Sequence, residues 1–214
     1  MTTTAISEAP ARARGGSAVL PALAGIGGLL AFAGTVVVFD DPLAGATTAA
    51  EAAEAMAGAP VGLAAVLLAG YALLAIAVTG RLAAHLAAHL SGSGDPASVR
   101  LMPVLGAGHV LLLTAAFAAP AAAVTVGDLV LEGGVTPGGA ETALVLMNLA
   151  HPMSAWVGIA FLVAVAVAGR RSRGLAAFSI VFAVGLALPP VGWAFTYLMP
   201  LWFAGVGIWL WRRA

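Results

Sequence analysis

Long apolar stretches, separated by short polar or turn-forming segments, make up most of the chain. They run Ser17–Phe39, Val61–Gly80, Leu101–Val126, Thr142–Gly169, Gly174–Leu188 and Val191–Trp211. Most approach or exceed the ~18–20 residues a helix needs to cross a ~30 Å hydrocarbon core. Period-two alternation is missing, which removes an outer-membrane barrel. The pattern therefore predicts an all-α integral membrane helical bundle, a single domain over residues 17–213 with six transmembrane helices. Residues 1–16 read as a polar, disordered tail. Gly174–Leu188 is short for a full crossing and Pro189-Pro190 breaks the helical run, so the last two stretches read as a tight pair of crossings or a re-entrant hairpin.

The punctuation between stretches adds detail. Ser17–Phe39 comes after two arginines, but it exceeds the usual ~7–15 residues of a signal h-region and reads as a retained span. Thr48 with Glu51 three residues later has the spacing of a capping box, which starts a short alanine-rich helix. Beyond Gly80, Arg81, His85 and His89 recur every four residues, so the second helix is expected to run on toward Leu90 until Ser91–Pro96 breaks it. Gly133-Gly134 and Pro137-Gly138-Gly139 mark a turn-rich connector before the fourth stretch.

Composition strengthens the membrane reading. Charged residues are 8% of the 214 positions, whereas a soluble domain carries about 25%. Without cysteine there are no disulfides, thiolate metal sites or cysteine nucleophile. All nine basic residues are arginine, a bias of high-GC bacterial genomes, and no basic stripe exists to neutralise phosphates, so nucleic acid is not an expected partner.

Charge also sets an orientation. With a cytoplasmic N-terminus and six alternating spans, Arg12, Arg14, Arg81, Arg100, Arg170, Arg171, Arg173, Arg212 and Arg213 all fall inside. Arginine asymmetry across short loops is the main determinant of topology. Both termini are then expected in the cytoplasm of a bacterium, with the bilayer of its plasma membrane as the principal partner. Trp209 and Trp211 fit an inner aromatic belt and Trp193 an outer one.

Candidate chemistry is sparse. No carboxylate lies inside a span, which counts against an ion-coupled pump. Asn148, His151 and Ser154, spaced i, i+3, i+6 around Pro152, read as one drifting side of a helix and the wall of a polar pocket near the outer face. Thr196 and Tyr197, one turn before Pro200, are expected to line the same pocket as ligand-binding residues. The prolines at 120, 152 and 200 are expected to splay the bundle outward. His85 and His89 share a helix face as candidate metal ligands, with Asp95 as a candidate third, although two imidazoles alone are an incomplete site. Counting from Leu101 and Arg170 places His109 about 12 Å and His151 about 28 Å above the inner boundary. A haem held by both is excluded on that separation of about 16 Å, and no cofactor is expected.

The C-terminal stretch Pro189-Pro190-Val191-Gly192-Trp193, with Pro200-Leu201-Trp202 and Trp209-Leu210-Trp211-Arg212-Arg213, resembles the ends of uncharacterised small multi-span integral membrane proteins of actinobacteria. The resemblance implies a membrane location and assigns no catalytic residue. The leading reading is a non-catalytic accessory, scaffold or ligand-sensing subunit, with another membrane protein or a second copy as partner. The alternatives are a small carrier or channel using a cavity near His151, and a histidine-dependent membrane enzyme or cofactor protein.

Overall fold

A computed structural model describes residues 19–37, 46–89, 96–130 and 133–213. The expected tail of residues 1–16, both ends of the first apolar stretch, and Leu90 to Asp95 lie outside these residues. The described residues form seven α-helices and no strand: α1 Leu20–Thr35, α2 Ala49–Ala57, α3 Val61–His89, α4 Pro96–Leu129, α5 Pro137–Ala168, α6 Arg173–Ala187 and α7 Gly192–Arg213. Four of them, α3, α4, α5 and α7, are long and apolar enough to cross a membrane; α1 and α6 are shorter apolar helices. At 1.5 Å per residue, α6 with its 15 residues extends about 22 Å, less than a ~30 Å core.

Local chemistry explains the boundaries. Thr48 caps α2 by accepting from the Glu51 amide at 3.2 Å, and the Glu51 carboxylate accepts from the Thr47 amide at 2.7 Å. The capping box expected at this spacing is thus formed, displaced one residue toward Thr47. Helix α5 begins at Pro137, five residues before the expected start at Thr142. Thr136 is its cap, accepting from the Gly139 amide at 3.1 Å, and proline suits the first helical position because no amide partner is needed there. Helix α4 likewise starts at Pro96, ahead of Leu101. Just before α5, Gly134 takes φ of 73°, a left-handed conformation that costs glycine nothing.

The helices pack in a ring. α1 lies between α3 and α7, α3 packs on α4, α4 most extensively on α5, α5 on α6, and α6 on α7, which closes the circle. α7 also reaches α3 and α5 across the ring, and buries Met199, Trp202, Phe203, Val206 and Leu210 at the centre. The short α2 lies against α4 and α5, seating Ala52, Ala53 and Met56 on Ala64, Ala121, Val124, Ala140 and Ala143. Large apolar side chains point outward all round the bundle, among them Leu30, Val66, Leu73, Val104 and Leu149. A monomer in water rarely exposes so much contiguous apolar surface, and the pattern is compatible with a membrane protein.

The alternation of helix direction sorts the charges. Glu51, Glu54, Asp128 and Glu141 lie at the end where α2 sits, while Arg100, Arg170, Arg171, Arg173, Arg212 and Arg213 gather at the opposite end.

Candidate functional site: a cavity between α5 and the α6–α7 hairpin

Near the acidic end, a cavity of about 410 Å³ opens between α5 and the hairpin of α6 and α7. The α5 wall is Asn148, His151, Pro152, Ala155, Trp156 and Ile159. This is one helical stripe, spaced i, i+3, i+4, i+7, i+8, i+11. The facing wall comes from the end of α6, from Pro189 in the turn, and from Gly192, Trp193 and Thr196 of α7. The turn is fixed by the Gly192 amide donating to the Leu188 carbonyl at 2.7 Å.

Of the expected pocket residues, Asn148, His151 and Thr196 meet here although about 45 positions separate the two helices. Ser154 does not line the cavity. At 100° per residue it sits about 120° round α5 from Asn148, and it is fully buried with its hydroxyl donating to the His151 carbonyl at 2.7 Å. Tyr197 stands behind the wall, its ring 5.3 Å from His151, and leads into an aromatic cluster with Phe117, Phe32 and Tyr71. Rings from α4 and α7 therefore lie against the imidazole, with those of α1 and α3 behind them.

Trp156, Ile159, Leu186, Pro189 and Trp193 line the cavity and were not expected there. Trp193 precedes Thr196 by three positions, a helical spacing that puts both on one face. The four-residue connection between Ala168 and Arg173 makes α5 and α6 neighbours, but no sequence signal aims these side chains into one cavity.

Asn148 also borders a second cavity, of about 560 Å³, lined by Thr47, Thr48, Glu141 and Leu144 among others. The amide Nδ2 of Asn148 donates to the Leu144 carbonyl at 2.8 Å. A carbonyl only accepts, so the orientation of the amide is fixed, with Oδ1 and the second Nδ2 hydrogen left to offer.

The depth assigned to His109 requires correction. Its Nδ1 lies 2.8 Å from the Ser154 carbonyl, so these residues share a level. His151 is three residues from Ser154, about 5 Å along the axis. The separation of about 16 Å fails because helices α4 and α5 do not begin and end at the assumed boundaries. His109 carries its proton on Nδ1 toward Ser154, which leaves Nε2 buried without a hydrogen-bond partner. It does not line the cavity beside His151. The two imidazoles therefore face different surroundings despite their similar depth.

His85 and His89 lie at the arginine end of α3. Their rings are 4.2 Å apart, and Nδ1 of His89 is engaged with the His85 carbonyl at 2.7 Å. His85 also meets the edge of Trp209, over which the Arg213 guanidinium sits at 5.3 Å. A fixed positive charge so close opposes a metal cation. Among the described residues no group of three His, Asp or Glu side chains forms that could hold a metal ion, and Asp95 lies outside them.

The chain matches no family model, no curated protein and no solved structure. Fold and site define it by class alone: an all-α bundle with membrane-length apolar helices, an apolar exterior and a polar-edged cavity at its acidic end.

Proposed function

We propose that the protein is a six-span bacterial plasma-membrane protein with both termini in the cytoplasm, which binds a small molecule in the α5–α6–α7 cavity and serves as a ligand-sensing subunit without catalysis of its own. The six-span topology rests on the separation of arginines from carboxylates at the two ends, with α1 and α6 completing the set of crossings. The bacterial assignment rests on the arginine-only composition and the C-terminal resemblance. One observation carries the functional reading: residues remote in sequence converge on one largely apolar cavity with a few polar groups, the usual build of a small-molecule site. No carboxylate lines it, so a proton-transfer or hydrolytic role has no acid to work with beyond His151.

Ligand binding there would tie α5 to the α6–α7 hairpin. Movement of α7 then reaches α1 and α3, because α7 packs on both.

The test uses full-length protein in nanodiscs and three aromatic probes: phenethylammonium, 2-phenylethanol and 3-phenylpropionate. At least one is expected to raise the Tm of the wild-type protein and to leave Ala155→Trp and Ile159→Trp, whose bulk fills the cavity, unaffected. Shifts that survive filling, or no shift with any probe, would refute the reading. Uptake of labelled probe into proteoliposomes would favour a carrier over a sensor.

A further inference from the structure

We propose that the cavity between α5 and the α6–α7 hairpin takes a small organic cation, a protonated amine on an apolar body. The inference rests on the ligand-binding reading above and names the class of ligand.

The polar part of the wall offers hydrogen-bond acceptors beside its donors. One Asn148 amide hydrogen is held by Leu144, which leaves the side chain its Oδ1 acceptor and one N–H. The Thr196 hydroxyl, at the cavity floor, donates to the Gly192 carbonyl at 3.1 Å and keeps only lone pairs for anything else. Pro152 and Pro200 each sit four residues after a cavity residue, and proline has no N–H, so the carbonyls of Asn148 and Thr196 lack their helical donor. The two prolines thus free one backbone carbonyl on each of two helices that wall the cavity. The donors on this wall are the second N–H of Asn148, the indole N–H groups of Trp156 and Trp193 and the imidazole of His151, and the two indoles bring aromatic rings to the cavity.

Electrostatics point the same way. No charged side chain of either sign lines the cavity, and the arginines of the described residues lie toward the opposite end, so nothing compensates an anion. Indole faces attract cations through the ring quadrupole. Glu141 lines the adjoining cavity, which shares Asn148 as its partition, and the Glu51 carboxylate lies beside it through its bonds to Thr47. An approaching cation meets these carboxylates first and the acceptor-lined, tryptophan-walled cavity next. An ammonium supplies donors to the acceptors present, and its apolar body fits against Ala155, Ile159 and Leu186.

Binding of the same three probes to full-length protein in nanodiscs, followed by calorimetry, tests the assignment. Phenethylammonium is expected to bind about tenfold or more tighter than 2-phenylethanol, and 3-phenylpropionate to be the weakest. Asn148→Leu should bring the ammonium and the alcohol to within about twofold of each other. Glu141→Gln should slow ammonium association and leave the alcohol unchanged. If the alcohol or the carboxylate binds as tightly as the ammonium, or Asn148→Leu keeps the preference, the cation assignment is overturned while the cavity remains a binding site. If no probe binds, or binding persists in Ala155→Trp, both readings fall together.

Discussion

Glu51 shows how a single side chain ties the short surface helix to solution conditions. Its carboxyl is held below the ordinary carboxylate range, first by the Thr47 amide and then by the Thr47 hydroxyl, which both donate to the charged form. A lowered pKa means the cap is fully effective above the ordinary value of about 4.3 and is lost as pH falls through the lowered one. Acidification over that window should therefore raise amide exchange at residues 49–53, and Glu51→Gln, compared at each pH, should show no such step. His109 makes a different prediction. Its bond to Ser154 joins α4 to α5, whereas its Nε2 is buried and unanswered. His109→Leu removes both, so it should cost only about 1 kcal/mol, the scale of one interhelical hydrogen bond, read as a small drop in Tm. Asn148, His151 and Thr196 were legible as a group because polar side chains within apolar runs stand out. Ser154 was misread because three residues at i, i+3, i+6 turn too far for one wall.

Helix contacts depend on what glycine leaves out. A Cβ on Gly207 would overlap the Pro21 carbonyl, and one on Gly25 would come within 2.7 Å of the Phe203 carbonyl. These paired glycines let α1 and α7 meet backbone to backbone, and close approach is what holds helices together in lipid. Gly80, by contrast, has nothing within 4 Å of its missing Cβ. Gly207→Ala should destabilise the bundle by about 1–3 kcal/mol, and Gly80→Ala should raise stability by up to about 1 kcal/mol through helix propensity. Thermal unfolding in one detergent measures both; equal effects would remove the α1–α7 contact as the explanation. Glycines occur throughout the chain, and the sequence offers no means of telling these two cases apart, because the difference lies in a neighbouring helix. Element identity was legible, since apolar runs of membrane length have one regular solution. Starts at Pro96 and Pro137 were read late, because the polar residues that open α4 and α5 lie outside the apolar stretch used to find them.

At the scale of the molecule, orientation and cavity are linked. As proposed, Thr47 and Thr136 face the outside and Ser93 the cytoplasm. Single cysteines placed there in this thiol-free chain should react with an impermeant maleimide on whole cells at 47 and 136 and stay protected at 93; the inverse pattern would turn the cavity toward the cytoplasm. Composition, the lengths of the apolar runs and the placement of arginine were enough to define a helical bundle with one basic and one acidic end, because burial of backbone polar groups and the sorting of charge act on the chain locally. Which helices touch was left to the tertiary structure. The ring closed by α1 and α7 and the convergence of Asn148, His151 and Thr196 on one cavity are long-range contacts. They depend on how small side chains interlock between helices, and in a chain this rich in alanine and glycine almost every helix face carries them.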